Sequence, residues 1–315
     1  MLSRIADSLF WLSRYMERAD GLLRATSTHY ILSLDNMVIG NMTWKPILEI
    51  FATADEEQIK QLEKDTYNTL QTLITDLTNQ SSLKVIVTRA RENARGAQDH
   101  ITKEVWEEVN AFYHLINQSS FNNGFGQQDV IQTLQLFSQH SVLFTGVADV
   151  TMPRGLGWSF MNLGKLIERC FEVITLADQH YQLINYNLRQ ENAILHWKEL
   201  LFALSGYELH LKTYRGSNYN ANVLHQIIFN EDFPHSVMYT LARIEKYITD
   251  IVAENQSPAN NELLKRFGRL HTRIKYMDPA TINSSNLQQF LEGIKTELLQ
   301  FSYQLGTKLF LISIS

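Results

Sequence analysis

A chain of 315 residues is long enough for one large helical domain or two smaller ones, and 44% of it is hydrophobic. With 14 Gly and 5 Pro it is poor in chain breakers, which favours helices joined by short turns over a many-stranded β architecture. A net charge of −5 supplies no basic field to hold nucleic acid, and one cysteine, Cys170, excludes an intrachain disulfide and a cysteine-based zinc site.

The first helix is predicted from near Ser3 into the low thirties, because Leu9, Leu12, Met16, Ala19 and Leu23 recur at three- and four-residue steps. Trp11, Tyr15 and Leu22 lie off that stripe, so this helix is apolar on more than one side and belongs inside a bundle. Arg4, Asp7, Arg14, Glu17 and Arg18 interrupt any signal-peptide core. No charge-free run reaches the length of a membrane span, and "LFLISIS" at the end is far too short for one. A cytoplasmic protein is the expectation.

"TADEEQIKQLEKDTYNTLQTLITDL" opens with acids after a threonine and predicts one helix to about Leu77. "SSLKVIVTRARENARGAQDHITKEVWEEVNAFYHLI" predicts one long helix or two stacked ones with Gly96 at the kink, and "NQSSFNNGFGQQ" predicts a loop. A helix is expected over about 127–147, then a break at "TMPRGLG" and a long helix from near Gly157 past Ala177. Further helices are expected around 190–204, 206–215, 221–229, 235–254, 260–276 and 285–311. The strand-like "LKVIVT" is overridden by the helical periodicity on either side. The expectation is an all-α multi-helix bundle in one continuous assembly over 1–315, with two related halves, 1–150 and 151–315, each headed by a Glu-Arg helix.

Those two helices carry the chemistry. "SLFWLSRYMERA" and "SFMNLGKLIERC" align at an offset of 151, pairing Ser8 with Ser159, Leu12 with Leu163, Glu17 with Glu168 and Arg18 with Arg169. The apolar stripe transfers as Phe160, Leu163, Ile167, Cys170 and Ile174. A third segment, "TRARENARG", shares the spacing: Arg89 precedes Glu92 by three, as Arg14 precedes Glu17 and Lys165 precedes Glu168. Residues three apart share a helix face, but a base placed before its acid is the weaker orientation for stabilising that helix. Asp20 and Arg24 share a side, four residues apart. A carboxylate drawn into a helix interface costs several kcal/mol unless fully partnered. Two readings follow. Glu17, Glu92 and Glu168 form a structural network with Arg14, Arg89, Arg95 and Lys165 between central helices, or these charges line a polar cleft for an anionic or peptide-like ligand.

Cys170 reads as a packed thiol, and no Glu has His three residues on, so neither a cysteine nucleophile nor a di-iron bundle is expected. No Walker-type or dinucleotide-binding glycine pattern occurs; neither a metal nor another cofactor is expected. "YELHLKTYRG" places Glu208, Lys212, Tyr214 and Arg215 on one short helix, and "FPHS" puts His235 at a helix start. Trp106, Trp158 and Trp197 read as core aromatics. Leu305, Leu309, Phe310 and Leu311 read as core or as a homodimer contact.

Together, "MLSRIADSLFWLSRYMERAD", "ARENARG" with "KEVWEEVN", "MPRGLGWSFMNLGKLIERC" and "YELHLKTYRG" resemble the bacterial alpha-E family over nearly the whole chain, in order. The resemblance implies an all-helical fold and brings no established activity. It implies characteristic positions at Glu17, Arg18, Arg91, Glu92, Asn93, Arg95, Glu168 and Arg169. Thr175 stands where Arg24 stands in the first motif, and His235 where the family more often has Arg. The resemblance also implies a context, a circularly permuted ATP-grasp ligase and a transglutaminase-like protein encoded or fused nearby.

The expected function is therefore a helical accessory or substrate-binding protein of an ATP-grasp-linked system that forms or modifies peptide or amide bonds. Arg18, Arg91, Arg95 and Arg169 would hold carboxylates, for which the guanidinium fork suits bidentate contact, and Arg14 and Asn93 complete the candidate ligand-binding set. Glu17, Glu92 and Glu168 would accept hydrogen bonds. They are also the candidate catalytic groups of an alternative reading, an enzyme using a buried carboxylate for acid-base chemistry on a peptide or acyl substrate. A purely structural subunit is the third reading.

Overall fold

The computed structural model describes residues 3–34, 42–118, 130–190, 194–254 and 257–307. Among these residues the chain forms fourteen α-helices, two short 3-10 turns and no strand. The helices are α1 (Ser3–Leu34), α2 (Lys45–Phe51), α3 (Glu56–Leu62), α4 (Thr66–Ile74), α5 (Leu83–Gly96), α6 (Lys103–Ile116) and α7 (Val130–Thr151). The second set is α8 (Leu156–Gln182), α9 (Ile194–Ala203), α10 (Tyr207–Thr213), α11 (Tyr219–Ile228), α12 (Val237–Glu254), α13 (Pro258–Lys275) and α14 (Leu287–Leu305).

The second seven repeat the plan of the first. A long Glu-Arg helix leads, three short helices follow, and three long ones close the set; each helix begins 149–157 residues after its counterpart. Local chemistry repeats as well. The indole N–H of Trp44 donates to Thr66 Oγ1 at 3.1 Å, at the first residue of α4, and that of Trp197 donates to Asn220 Oδ1 at 3.0 Å, in the first turn of α11. Ser82 caps α5 by accepting from the Val85 N–H, and Ser236 accepts from the Tyr239 N–H at the head of α12. Thr102 and Ser257 cap α6 and α13 in the same way.

The chain divides into two compact units, residues 11–153 and residues 154–315 joined by the first ten residues. In the unit of residues 11–153, α5 packs on α6, α6 on α7, and the short helices α2–α4 on one another and on α5. Leu83, Ile86, Val87, Ala90 and Ala94 form the buried stripe of α5, answered by Val105, Val109, Phe112 and Ile116 on α6.

In the other unit α8 is the central helix. It packs against α9, α12 and α14, and seventeen of its 27 residues are buried, so it has no wide solvent face. The N-terminal turns of α1 belong to this unit, where Gly164 lets α8 approach Phe10; a Cβ at 164 would stand 2.2 Å from the Phe10 carbonyl oxygen.

Several expectations need correction. "TADEEQ…DL" is two helices: Asp65 accepts from the Asn68 N–H and starts α4, and Thr69 Oγ1 closes the joint on the Leu62 carbonyl. "KPILEIF" forms α2, which seven residues are too few to announce by periodicity. Over 83–116 the second of the two expected forms holds, two helices breaking after Gly96, with a 3-10 turn at Gln98–His100 between them. Helix α10 ends at Thr213, so Tyr214 and Arg215 lie beyond it. Trp197 is buried, whereas Trp106 and Trp158 are half-buried, each under an arginine. Most of the loop "NQSSFNNGFGQQ", and Leu309, Phe310 and Leu311, lie outside the described residues; Leu305 is buried.

Candidate functional site

On α1 the Glu-Arg segment is withdrawn from solvent, because this helix is apolar on more than one side. Arg14 is 8% exposed and Glu17 is 4% exposed. The Arg14 guanidinium lies 4.6 Å from the centre of the Trp11 ring, and Arg18 is half-buried 5.9 Å from that of Tyr15. Neighbours on a helix stand about 100° apart, which accounts for Glu17 and Arg18 occupying different environments. Asp20 and Arg24 meet as their spacing requires, Arg24 Nε to Asp20 Oδ2 at 2.8 Å. The other Asp20 oxygen accepts from Ser141 of α7 at 2.9 Å.

The segment "RENAR" on α5 is organised differently. Arg91 Nε donates to Asn110 Oδ1 of α6 at 2.7 Å, and its guanidinium stands 4.5 Å from the Tyr113 ring centre and 5.8 Å from that of Trp106. Trp106, Asn110 and Tyr113 belong to the α6 run that begins "KEVWEEVN", so two separate sequence motifs meet through one arginine. Glu92 does not lie between central helices: its side chain is 57% exposed, with Arg91 Nη1 3.7 Å from its Oε1. The reason is register. Glu92 sits two positions from both Ala90 and Ala94, about 200° around the helix from that buried stripe. Arg89, its expected partner, instead bonds Gln80 through both the side-chain and main-chain oxygens. Asn93 turns its amide back to the Arg89 carbonyl at 2.8 Å, and Arg95 is exposed.

On α8, Glu168 is 7% exposed, the counterpart of buried Glu17. The small residues that follow each pair, Ala19 and Cys170, are fully buried, as are Leu12 and Leu163. Neither Glu17 nor Glu168 is without a partner, which is what a buried carboxylate demands. Arg169 is half-buried, and its Nη1 lies 3.5 Å from the Pro234 carbonyl, which brings the "FPHS" turn to the second Glu-Arg pair. Burial pushes the Cys170 thiol up to about 12, so it is protonated and inert at neutral pH.

Sequence reasoning missed several polar clusters that need long-range pairing. Glu108 of α6 meets His140 Nδ1 of α7 at 2.7 Å. Arg154 lies 3.8 Å from the ring centre of Trp158. Burial pushes the Tyr247 phenol up, against the opposing pull of the Trp158 indole N–H and of Arg243 and Arg154. His210, inside "YELHLKTYRG", is fully buried; its Nδ1 meets Gln226 Oε1 at 2.8 Å, and Gln226 Nε2 donates to the Gly206 carbonyl at 2.8 Å. Glu208 and Lys212 face solvent as a loose pair at 3.7 Å. Among the described residues no group of three His, Cys, Asp or Glu is placed to hold a metal ion.

An all-helical protein with two Glu-Arg helices, both burying the glutamate, is the class that fold and site define. A family model described as a predicted alpha-helical domain with a conserved ER motif, Alpha-E, matches residues 1–310. The chain belongs to the Alpha-E family. It is 21% identical over 314 residues to an uncharacterized protein of Mycobacterium bovis and, to the same degree, to uncharacterized proteins from two strains of Mycobacterium tuberculosis. Each match covers 94% of this chain and 34% of the relative, so the chain spans about a third of the length of these proteins. No solved structure matches. Among the described residues no helix is long and apolar enough to cross a membrane.

Proposed function

We propose that this protein is a helical accessory or substrate-binding component of a system that forms or modifies peptide or amide bonds, acting with an ATP-grasp-type ligase and a transglutaminase-like protein. The observation that carries the reading is the matched burial of Glu17 and Glu168 at one register of α1 and α8. Removing a carboxylate from water is weak as a source of stability, so repeating it 151 residues on is better accounted for by recognition than by packing. Arg18, Arg169 and Arg95 keep contact with solvent and supply forks suited to carboxylates. The relatives are about three times as long, which fits a domain that works alongside others.

Glu17→Gln and Glu168→Gln test the reading, because each keeps the side-chain volume while removing the charge. Circular dichroism and thermal melting report the fold, and isothermal titration against the partner ligase and a peptide-like substrate reports binding. Folded variants that lose binding by about tenfold, the scale of one charge-assisted hydrogen bond, support recognition. Variants that melt far below the wild-type chain yet bind undiminished while still folded would assign both glutamates to structure alone.

A further inference from the structure

The outer face of α7 carries an apolar stripe that its own fold does not require. The inner face of this helix, with Val130, Leu134, Phe137, Phe144 and Ala148, is buried. On the opposite side Leu136, Leu143 and Val150 recur every seven residues and stay 38%, 49% and 84% exposed, with exposed Val142 beside them. Asp149 is the one acidic residue of the helix, and it contains no lysine or arginine.

The repeat supplies the comparison. The buried positions of α7 recur 157 residues on in its counterpart α14, as Leu287, Leu291, Ile294, Phe301 and Leu305. In that register Gly293, Gln300 and Thr307 stand where α7 has Leu136, Leu143 and Val150, and Glu292 stands where it has Gln135. An outer helix in this place therefore folds without an apolar stripe. Exposed leucine and valine with the charges withdrawn are the composition of an interface core, not of a solvated face.

Gly146 lies within the stripe, one turn after Leu143 and one before Val150. Glycine inside a helix is destabilising relative to alanine, and here a Cβ would meet no atom within 4 Å and the φ is not positive. Neither packing within the chain nor backbone conformation calls for it; what it leaves is a hollow on the outer face. Charge and shape then choose the occupant. A charged partner helix would bury its ions against this stripe with no counter-ion, whereas a second α7 brings the same charge-free surface. Antiparallel pairing, with the two-fold axis between Leu143 and Gly146, sets each Leu143 into the hollow at the partner's Gly146. Parallel pairing would oppose glycine to glycine and leave a void.

We propose that this protein forms a two-fold dimer through α7, with Leu143 of each chain seated at the partner's Gly146. A helix of 22 residues is about 33 Å long and about 10 Å wide, so the seam covers roughly 300 Å² on each partner. That is under half of a standard interface and makes the dimer weak and reversible. The assignment stands apart from the role of Glu17 and Glu168 and survives if that role is structural.

The test is sedimentation equilibrium of the full chain from about 1 µM to about 1 mM, which brackets the dissociation constant of roughly 10–100 µM expected of so small a seam. The wild-type chain should pass from monomer to dimer across this range. Leu143→Glu, which puts a charge into the seam without a counter-ion, should weaken association by about tenfold or more. Gly146→Leu separates docking from mere stickiness. It adds apolar surface and a better helix former, so indiscriminate association would strengthen, whereas filling the hollow should weaken the dimer by about tenfold. Leu299→Glu on α14, at the counterpart of Val142, should change nothing. All three variants alter exposed positions and should remain folded by circular dichroism. A wild-type chain that stays monomeric throughout would assign the face to a different protein and overturn the dimer. Undiminished association of Leu143→Glu, or stronger association of Gly146→Leu, would overturn it as well.

Discussion

Gly164 of α8 meets Phe10 of α1 backbone to backbone: a Cβ at 164 would stand 2.2 Å from the Phe10 carbonyl oxygen. Since the obstacle is main chain, no side-chain rotation relieves it. Gly164→Ala should therefore force the helices apart and cost roughly 1–3 kcal/mol. Gly293→Ala is the control, because α14 leaves open space there and alanine is the better helix former. Differential scanning calorimetry should show the first variant melting several degrees lower and the second unchanged or slightly higher.

Arg91 ties α5 to α6 through Asn110 and Tyr113. Arg91→Ala should lower stability by about 1–2 kcal/mol, combining a lost hydrogen bond with a lost cation–π contact. Arg91→Lys should recover little, since an ammonium cannot reproduce the planar fork. A double-mutant cycle with Asn110→Ala, measured by urea unfolding, should show a coupling of about 0.5–1.5 kcal/mol. Additive losses would mean that the two side chains act independently.

Cys170 is buried, with its thiol pushed up to about 12 by desolvation. Iodoacetamide at pH 8 should leave the native protein unlabelled and label it fully once urea has unfolded it. Mass spectrometry reads the result, and rapid native labelling would contradict the burial of this position.

Acid should destabilise the fold through its histidines. Burial is the largest cause holding His196, His210 and His225 below their ordinary value of 6.5. For groups lowered in this way the unfolded chain takes up protons first. Their contribution to stability is present above the unfolded value and is lost as pH falls through 6.5 toward the folded values. The melting temperature should be flat from about pH 7 to 8 and fall below 6.5. His210→Asn, which retains an amide facing Gln226, should lower the melt at pH 7.5 and flatten its slope in acid.

The long helices were legible because their apolar stripes are local: Leu9, Leu12, Met16, Ala19 and Leu23 are all buried as their spacing requires. The starts of α5 and α13 rest on equally local signals, the Ser82 cap and the Ser257 cap followed by Pro258. What escaped depends on contacts distant in sequence. Nothing around Arg91 announces that its partners lie 15–22 residues away on α6, and Arg89 and Arg91 look alike until α5 adopts its register. Glu17 and Glu92 share a spacing to a preceding base, yet one is buried and the other exposed. The decisive difference is that α1 is apolar on several sides and α5 on one. Short helices such as α2 carry too few residues to show a period at all.

The central claim is that this chain serves a partner that makes or modifies amide bonds. Its most direct test measures ATP-dependent product formation by the ATP-grasp-type ligase alone, by this protein alone, and by both together with wild-type, Glu17→Gln or Glu168→Gln chains. The account predicts no product from this protein alone and a clear gain when it joins the ligase. It also predicts that folded Glu17→Gln and Glu168→Gln chains lose most of that gain. Product made by this protein alone, or a ligase indifferent to its presence, would contradict it.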